Sequence, residues 1–183
     1  SNYTDRQICK VISPKRHEVV VPGINLGQYK ALIKTKSNKN YIITVGALKR
    51  RKGQDVSLLA FAEVNKKFPN LEYIIVGSQR DQIYFNELKK IVNDNNIADR
   101  VHFMQNVPDD KLSELYANAE LFIMLSRNEG WHYEGFGLVF LEASAMGLPV
   151  IGTKDNGIED AVNSGVNGYL VSQNNPKEAS EAI

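Results

Sequence analysis

The sequence predicts an α/β fold in which a doubly wound parallel sheet of about six strands carries helices on both faces. Short apolar runs rich in Val, Ile and Tyr alternate with longer amphipathic stretches along most of the chain. Because parallel strands need long crossover connections, this alternation is typical of a parallel sheet. Some runs are apolar without interruption, as in Ile74-Ile75-Val76, which indicates strands that are buried on both faces.

Six runs are predicted as strands because they are too short for helices and rich in β-branched and aromatic residues. They are Tyr41–Val45, Leu71–Val76, Val101–Met104, Leu121–Leu125, Val150–Gly152 and Tyr169–Val171. Six stretches between or after them are predicted as helices from their apolar periodicity and their end signals. They are Gln54–Lys67, Gln82–Asn95, Pro108–Ala117, Leu138–Met146, a short one near Ile158–Val162, and Lys177–Ile183.

The composition fits one folded unit. The chain has 183 residues, with 22 basic and 21 acidic side chains, so it offers no general charge excess for binding nucleic acid or an anionic membrane. Residues 41–183 are predicted as the Rossmann-like domain. Residues 1–40 fit the alternation poorly and are predicted as a linker or edge segment, with an extended run at Val19–Val21 and a polar, lysine-rich connection at Gln28–Asn40. The chain starts without Met and stops in mid-pattern, so we expect a piece of a longer protein.

Cysteine and histidine usage favours a reducing compartment. Cys9 is the single cysteine and cannot form an intramolecular disulfide, and the histidines lack the sequence spacing of a zinc site. We therefore expect a reducing, cytoplasmic environment and no zinc site. No apolar run approaches the ~20 residues of a membrane-spanning helix.

A basic loop follows the first predicted strand. It runs from Gly46 to Gly53 and contains four consecutive cations, Lys49-Arg50-Arg51-Lys52, directly before a helix. In a parallel sheet, ligands lie beyond the carboxyl ends of the strands, and the free amides of a following helix attract anions. The loop therefore predicts a phosphate site, although a solvated charged turn is the commoner fate of a short basic run.

A second candidate loop follows the fourth strand and carries two carboxylates eight positions apart. Gly135 and Gly137 let an anion approach backbone amides at the start of the next helix. Glu142 is the single charge of that otherwise apolar helix, so we expect it to face a cavity or a specific partner. Glu134 precedes the glycines. Such a pair could bind sugar hydroxyls or act in glycoside hydrolysis, and the basic loop favours a diphosphate leaving group over hydrolysis.

The segment Glu134–Ala143 resembles the Glu-x7-Glu signature of retaining glycosyltransferases of the GT-B fold, in the glycogen-synthase-like and mannosyltransferase-like group (family 4, or group 1). The likeness extends from about Val19 to the end of the chain. Gly46 to Gly53 is similar to the phosphate-binding loop of this group, and Gly165 to Val171 to its closing turn and strand. The resemblance implies that residues 41–183 are the donor-binding C-terminal half and that an N-terminal half holds the acceptor.

The resemblance also implies a role for each matched residue. Lys52 contacts the donor diphosphate, together with Gly46 and Arg51 of the same loop. Glu142 holds the ribose hydroxyls, and Glu134 binds hydroxyls of the transferred sugar or stabilises positive charge near its anomeric carbon. The remaining implied donor contacts are Phe136, Gly137, Leu138 and Val139 for phosphate or sugar, and Gln105, Asn106 and Val107 for the nucleobase.

Three departures from the family pattern matter. Ala47 stands where the family usually has arginine, so Arg51 or Arg50 must supply the second cation. Gln105 stands where a glycine is frequent after the third strand. Trp131-His132-Tyr133 resembles an insertion, which fits either a lid or donor-sugar contact, or a longer surface loop.

Together with the resemblance, these observations predict a glycosyltransferase domain for transfer of a sugar from a nucleoside diphosphate sugar to a hydroxyl acceptor. The resemblance implies that the transfer is retaining and that it needs no cofactor and no essential metal. Uridine and guanosine donors both fit. Two other functions stay open: a non-catalytic sugar-nucleotide-binding or regulatory module, and a related epimerase or phosphorylase. Peripheral association of the full-length protein with the cytoplasmic face of a membrane is left undecided by the sequence.

Overall fold

The computed structural model describes residues 1–29 and 40–183. Within them, six parallel strands form one sheet in the order β3-β2-β1-β4-β5-β6. In chain order the strands are β1 (Tyr41–Val45), β2 (Glu72–Val76), β3 (Val101–Met104), β4 (Leu121–Ile123), β5 (Val150–Thr153) and β6 (Gly168–Val171). The chain moves outward from β1 to β3, then returns to the other side of β1 at β4. The strand order therefore reverses between β1 and β4.

The helices cover both faces of the sheet. These helices are α2 (Gln54–Lys67), α3 (Gln82–Asp94), α4 (Asp109–Asn118), α5 (Leu138–Ala145) and α6 (Pro176–Ala182), and a further helix, α1 (Asn2–Cys9), has no residue in the core. Short 3-10 helices lie at Leu26–Tyr29, Arg50–Lys52, Ala98–Arg100 and Gly157–Asp160. Helices α2, α3 and α6 pack in one apolar cluster, and α4 and α5 in another. The prediction of a doubly wound α/β fold is confirmed.

The central strand shows how the two apolar clusters are built. Successive side chains of β1 point to opposite faces, so Ile42 packs in the cluster of α2, whereas Ile43 packs in the cluster of α5. Ile43 lies level with Ile74 of β2 and Phe122 of β4. Because β1 is buried on both faces, nearly every one of its positions must be apolar. The basic loop starts at the carboxyl end of this buried strand.

Three sequence predictions differ from the structure. The sequence predicted no helix before residue 40, but α1 forms there and has no buried residue. The predicted short helix near Ile158–Val162 is a 3-10 helix at Gly157–Asp160. Strand β4 ends at Ile123 rather than Leu125. The predicted polar connection at Gln28–Asn40 falls largely on residues 30–39, which lie outside the described residues, and the assignment of 1–40 as a linker stays a prediction.

None of the helices described in residues 1–29 and 40–183 is long and apolar enough to cross a membrane.

Candidate functional site

The basic loop after β1 is held by close backbone approaches. The amide of Gly46 donates to the carbonyl of Val76 at 2.8 Å, so the start of the loop continues the pairing of β1 with β2. Gly53 ends the loop with φ +67, and a Cβ there would lie 1.9 Å from the carbonyl oxygen of Leu125. Only glycine fits this position, since the left-handed conformation and the contact both disfavour a side chain. The loop is thereby fixed against the chain that leaves β4.

The loop after β4 is fixed from its other side by the turn after β5. The amide of Gly157 donates to the carbonyl of Glu134 at 2.8 Å. A Cβ on Gly157 would lie 2.0 Å from the carbonyl oxygen of Gly135, so the two backbones are in direct contact. The buried side chain of Asn156 holds this turn, because it accepts from the amide of Ile158 at 2.9 Å. The backbone of Glu134 is therefore positioned by β5 and the turn that follows it.

The two loops bring Lys52, Arg51 and Glu134 together. The ammonium of Lys52 donates to Oε2 of Glu134 at 2.5 Å, and Arg51 Nη1 lies 3.4 Å from the same oxygen. The side chains of Lys52 and Glu134 are only 14% and 12% exposed. The hydroxyl of Ser126 lies 3.5 Å from Glu134 Oε2. The sequence placed Lys52 and Glu134 in separate loops, and the structure joins them in one partly buried charge cluster.

The structure separates the two arginines that could replace the missing loop arginine. Arg50 forms an ion pair with Glu87 on α3, and its guanidinium lies 5.5 Å from the ring centroid of Tyr84. Arg51 points the other way, to Glu134. Of the two, Arg51 is therefore the one at the charge cluster.

The start of α5 offers backbone donors beside this cluster. Gly137 begins the helix with φ +82, and no side chain caps it. Among the described residues, the backbone amides of Gly137, Leu138 and Val139 donate no hydrogen bond. Free amides at a helix start favour anions. Phe136 differs from its neighbours, since its side chain is buried in the apolar core and only its backbone could meet a ligand.

Glu142 has a specific partner. It is half-buried on α5, and its Oε2 accepts from the hydroxyl of Tyr116 on α4 at 3.4 Å. This agrees with the expectation that a lone acid in an apolar helix needs a partner. The contact connects Glu142 to α4, whereas Glu134 is connected to the basic loop.

Gln105, Asn106 and Val107 follow the edge strand β3. Gln105 and Asn106 are exposed, while Val107 packs against the core. Asn106 has φ +54, a conformation that glycine adopts most easily and asparagine next. The left-handed residue of this turn is therefore Asn106, one position after Gln105, and not Gln105 itself. No described contact joins these residues to the charge cluster, although they lie at the same carboxyl edge of the sheet.

Sequence reasoning missed an ion-pair network beside the basic loop. Arg127 donates to Asp55 Oδ2 at 2.9 Å, and its amide donates to the carbonyl of Arg51 at 2.8 Å. Asp55 also accepts from the hydroxyl of Tyr84 at 2.9 Å. Burial and then the charge of Asp55 raise the pKa of Tyr84 above its usual range. This ion-pair network cannot be predicted from a local sequence pattern, because Asp55 and Arg127 are 72 positions apart.

The N-terminal helix α1 lies against the loop after β4, which carries Glu134 and is called the Glu134 loop below. The ring of Tyr3 packs edge to face on Tyr133 with 5.0 Å between centroids, and its hydroxyl accepts from Asn128 at 3.0 Å. The hydroxyl of Thr4 donates to the carbonyl of Gly135 at 3.4 Å. Of the aromatic pair in the predicted insertion, Tyr133 is thus held by α1, whereas Trp131 is 75% exposed. The lid and surface-loop interpretations of Trp131 both remain predictions.

Comparison with known proteins places these loops in a family context. The sequence profile of the family described as Glycosyl transferases group 1 matches residues 28–183. The GDP-mannose-dependent alpha-(1-6)-phosphatidylinositol monomannoside mannosyltransferase of Mycobacterium tuberculosis is 28% identical over the whole chain. A D-inositol 3-phosphate glycosyltransferase of Acidothermus cellulolyticus is 30% identical over 93% of the chain. The chain spans 50% and 40% of these two relatives, respectively.

A solved structure gives the same result for the fold. The Anabaena protein HepE, crystallised in complex with UDP-glucose, superposes with a TM-score of 0.79 and 25% identity. The match covers 90% of this chain and 46% of that one.

Proposed function

The chain belongs to the group 1 glycosyltransferases, and from that premise we propose that its charge cluster binds the diphosphate of a nucleoside diphosphate sugar for retaining transfer to a hydroxyl acceptor. One observation carries the proposal: Lys52, Arg51 and Glu134 converge from two loops at the point where the strand order reverses, between β1 and β4. Open α/β sheets bind their ligands in the crevice at this reversal.

The cations and the backbone amides of the site are suited to bind the diphosphate of the donor. The cations of Lys52 and Arg51 neutralise charge on the departing diphosphate, and the free amides at the start of α5 add donors without adding side chains. Positive charge that is already in place needs no reorganisation as the sugar–oxygen bond breaks. The site thereby favours the transition state over the bound donor.

The two carboxylates serve different parts of the donor. Glu134 lies among the cations, so it is placed to accept hydrogen bonds from sugar hydroxyls or to stabilise positive charge at the anomeric carbon. Glu142 would accept from ribose hydroxyls, with Tyr116 holding its carboxylate. The nucleobase would lie along Gln105–Val107 at the carboxyl edge. We propose no essential metal, since cations of the chain itself face the diphosphate.

We propose that the remainder of the reaction takes place outside this chain. The relatives are about twice the length of this chain, so we propose that the acceptor and any membrane contact are handled by the part outside it, and that transfer takes place in the cytoplasm. The Mycobacterium relative is GDP-mannose-dependent and HepE was crystallised with UDP-glucose. Both nucleotides are therefore candidates here.

Calorimetric titration of the chain with UDP, GDP, ADP and NADH tests the proposal. We expect saturable binding of one nucleoside diphosphate and weaker binding after Glu142→Ala, by about 10-fold or more, because a hydrogen bond to a carboxylate is lost. Glu181→Ala is the matched control, since Glu181 is an exposed acid on α6. Binding that resists Glu142→Ala, or that Glu181→Ala weakens equally, would contradict the assignment of Glu142.

The full-length enzyme separates the alternatives. Transfer to an acceptor with the anomeric configuration kept supports the proposed function. Binding without transfer or donor hydrolysis indicates the non-catalytic module, whereas sugar phosphate formed in the presence of free phosphate indicates a phosphorylase.

A further inference from the structure

We propose that Asp5, Cys9 and His17 form a binding site for a zinc-like divalent metal on α1, apart from the donor site. The three side chains each direct one potential ligand atom to a common point. His17 Nε2 lies 3.0 Å from Asp5 Oδ1, and Cys9 Sγ lies 3.9 Å from both of these atoms. Oxygen, nitrogen and sulfur in one set suit Zn²⁺, which binds all three donor types.

The three distances resemble the face of a coordination tetrahedron. With Zn–N and Zn–O bonds of about 2.0–2.1 Å and a Zn–S bond of about 2.3 Å, tetrahedral ligands lie about 3.3 Å apart for N and O, and about 3.5 Å apart when one is S. The observed separations of 3.0 and 3.9 Å depart from these by about 0.3–0.4 Å. The three separations are therefore close to those of three ligands on one face of a tetrahedron.

The sequence explains why the ligands meet. Asp5 and Cys9 are four positions apart on α1, so they share one face of the helix. The chain then turns back and brings His17 to that face. The side chains of His17 and Asp5 are 43% and 28% exposed, which leaves an open side for a fourth ligand such as water. Cys9 Sγ lies 3.9 Å from both Asp5 Oδ1 and His17 Nε2, so the thiol borders the ion pair of Asp5 and His17 and adds a third donor atom to it.

A metal here would fix the segment around His17 onto α1. Helix α1 has eight residues and no buried side chain, so it gains little stability from its own packing. The same helix contacts Tyr133 and the carbonyl of Gly135 in the Glu134 loop. The metal would thus act as a structural staple for an element that lies against the donor site, and it would take no part in sugar transfer.

Titration with Co²⁺ tests the site directly. The chain, free of any affinity tag and fully reduced, is titrated while its absorbance is followed in the near-ultraviolet and visible regions. Cys9 is the only cysteine of the sequence, so a thiolate-to-cobalt charge-transfer band can arise only from this residue. We expect the band to saturate at one cobalt per chain, and we expect Zn²⁺ to remove it by displacement.

Variants identify the remaining ligands. Cys9→Ser should abolish the band, and His17→Ala and Asp5→Asn should each weaken cobalt binding at least about tenfold, since even residues that only support a ligand contribute that much. His132→Ala, which removes an exposed histidine elsewhere, should bind cobalt like the unchanged chain. Far-ultraviolet circular dichroism confirms that each variant stays folded.

Three outcomes would overturn the proposal. One is the lack of a charge-transfer band at stoichiometric cobalt. Another is a band that is unaffected by both His17→Ala and Asp5→Asn, which would indicate a solitary thiol. The third is binding that His132→Ala weakens as much as His17→Ala does.

Discussion

Glu134 shares one carboxylate oxygen between two cations, and this arrangement decides what each of them contributes. Lys52 is the closer and more buried partner, while the side chain of Arg51 is 30% exposed. Partly desolvated charges interact more strongly than surface ones, because water screens them less. Loss of Lys52 should therefore affect anion binding far more than loss of another cation in the same loop.

We predict that Lys52→Ala weakens binding of the preferred nucleoside diphosphate by about 10- to 100-fold, since a charge-assisted hydrogen bond to phosphate is lost. Calorimetric titration measures the dissociation constant. Lys49→Ala removes the same charge from the same loop, but Lys49 is exposed, so it should change the constant by no more than about twofold. Equal losses in the two variants would show that the loop acts only through its net charge.

Gly157 gives a second prediction for a single residue. A Cβ there would overlap the carbonyl oxygen of Gly135, and backbone atoms cannot move aside as a side chain can. Gly157→Ala should lower the free energy of unfolding by about 1–3 kcal/mol, measured by urea denaturation, and should also weaken nucleotide binding by moving Glu134. Gly23→Ala is the control, because its Cβ would meet no atom within 4 Å. A stable Gly157→Ala variant with normal binding would contradict the described backbone contact.

Single residues of the site were predictable only as far as local sequence carries information. Glu142 stands out because it is the one charge in an apolar helix, and Lys52 because it lies in a basic run after a buried strand. The choice between Arg50 and Arg51 could not be made, since it depends on Glu87 and Glu134, one on each side of the loop. Arg127 gave no signal, because its partner Asp55 belongs to a different strand–helix unit.

At the scale of elements, the long helices and most strands were predicted correctly, whereas β4 was predicted two residues too long and α1 was not predicted. Strands β1 and β2 and helix α2 are largely buried, and burial requires runs or periodic patterns of apolar residues. Their local sequence therefore specifies them. Helix α1 has no buried residue, and contacts to loops more than a hundred positions away hold it in place. Such contacts leave no periodic pattern in the sequence.

Helix α1 should therefore be the element that a single contact most affects. Tyr3→Ala removes the ring contact with Tyr133, worth about 0.5–1.5 kcal/mol, and a hydrogen bond to Asn128. We predict faster hydrogen–deuterium exchange in residues 2–9 and 128–135, with β1 and β2 unchanged. Tyr169→Ala, which removes an exposed tyrosine from β6, should leave exchange in both segments as it was. Unchanged exchange after Tyr3→Ala would show that α1 is held by other contacts.

For the whole molecule, alkaline stability depends on buried tyrosines. The hydroxyl of Tyr73 is fully buried and lies 2.6 Å from the hydroxyl of Thr44. Burial is the main cause that raises the pKa of Tyr73 from 10.0 to about 12. In the unfolded chain this group ionises near pH 10, so between about pH 10 and 12 only the folded chain keeps the proton. Stability is therefore fully present below pH 10 and falls as the pH rises through 12.

We predict that Tyr73 makes the free energy of unfolding fall by up to about 2.7 kcal/mol across this window, which is two pKa units converted to energy. Urea denaturation at a series of pH values measures the decrease. Tyr73→Phe should be slightly less stable at neutral pH, yet lose less as the pH rises. Tyr169→Phe should keep the full dependence, since this tyrosine is exposed. The same slope for Tyr73→Phe as for the unchanged chain would contradict the prediction.

The reversal of strand order between β1 and β4 also has a consequence for synthesis on the ribosome. Lys52 is synthesised first. Its partner Glu134 is not added until 82 residues later, and the turn that positions Glu134 is added after that. A chain that stops after β3 has the cations and lacks the carboxylate and the α5 amides. Binding of the proposed nucleotide ligand therefore requires a chain that has been synthesised through the turn after β5, and it would stabilise such chains over shorter ones.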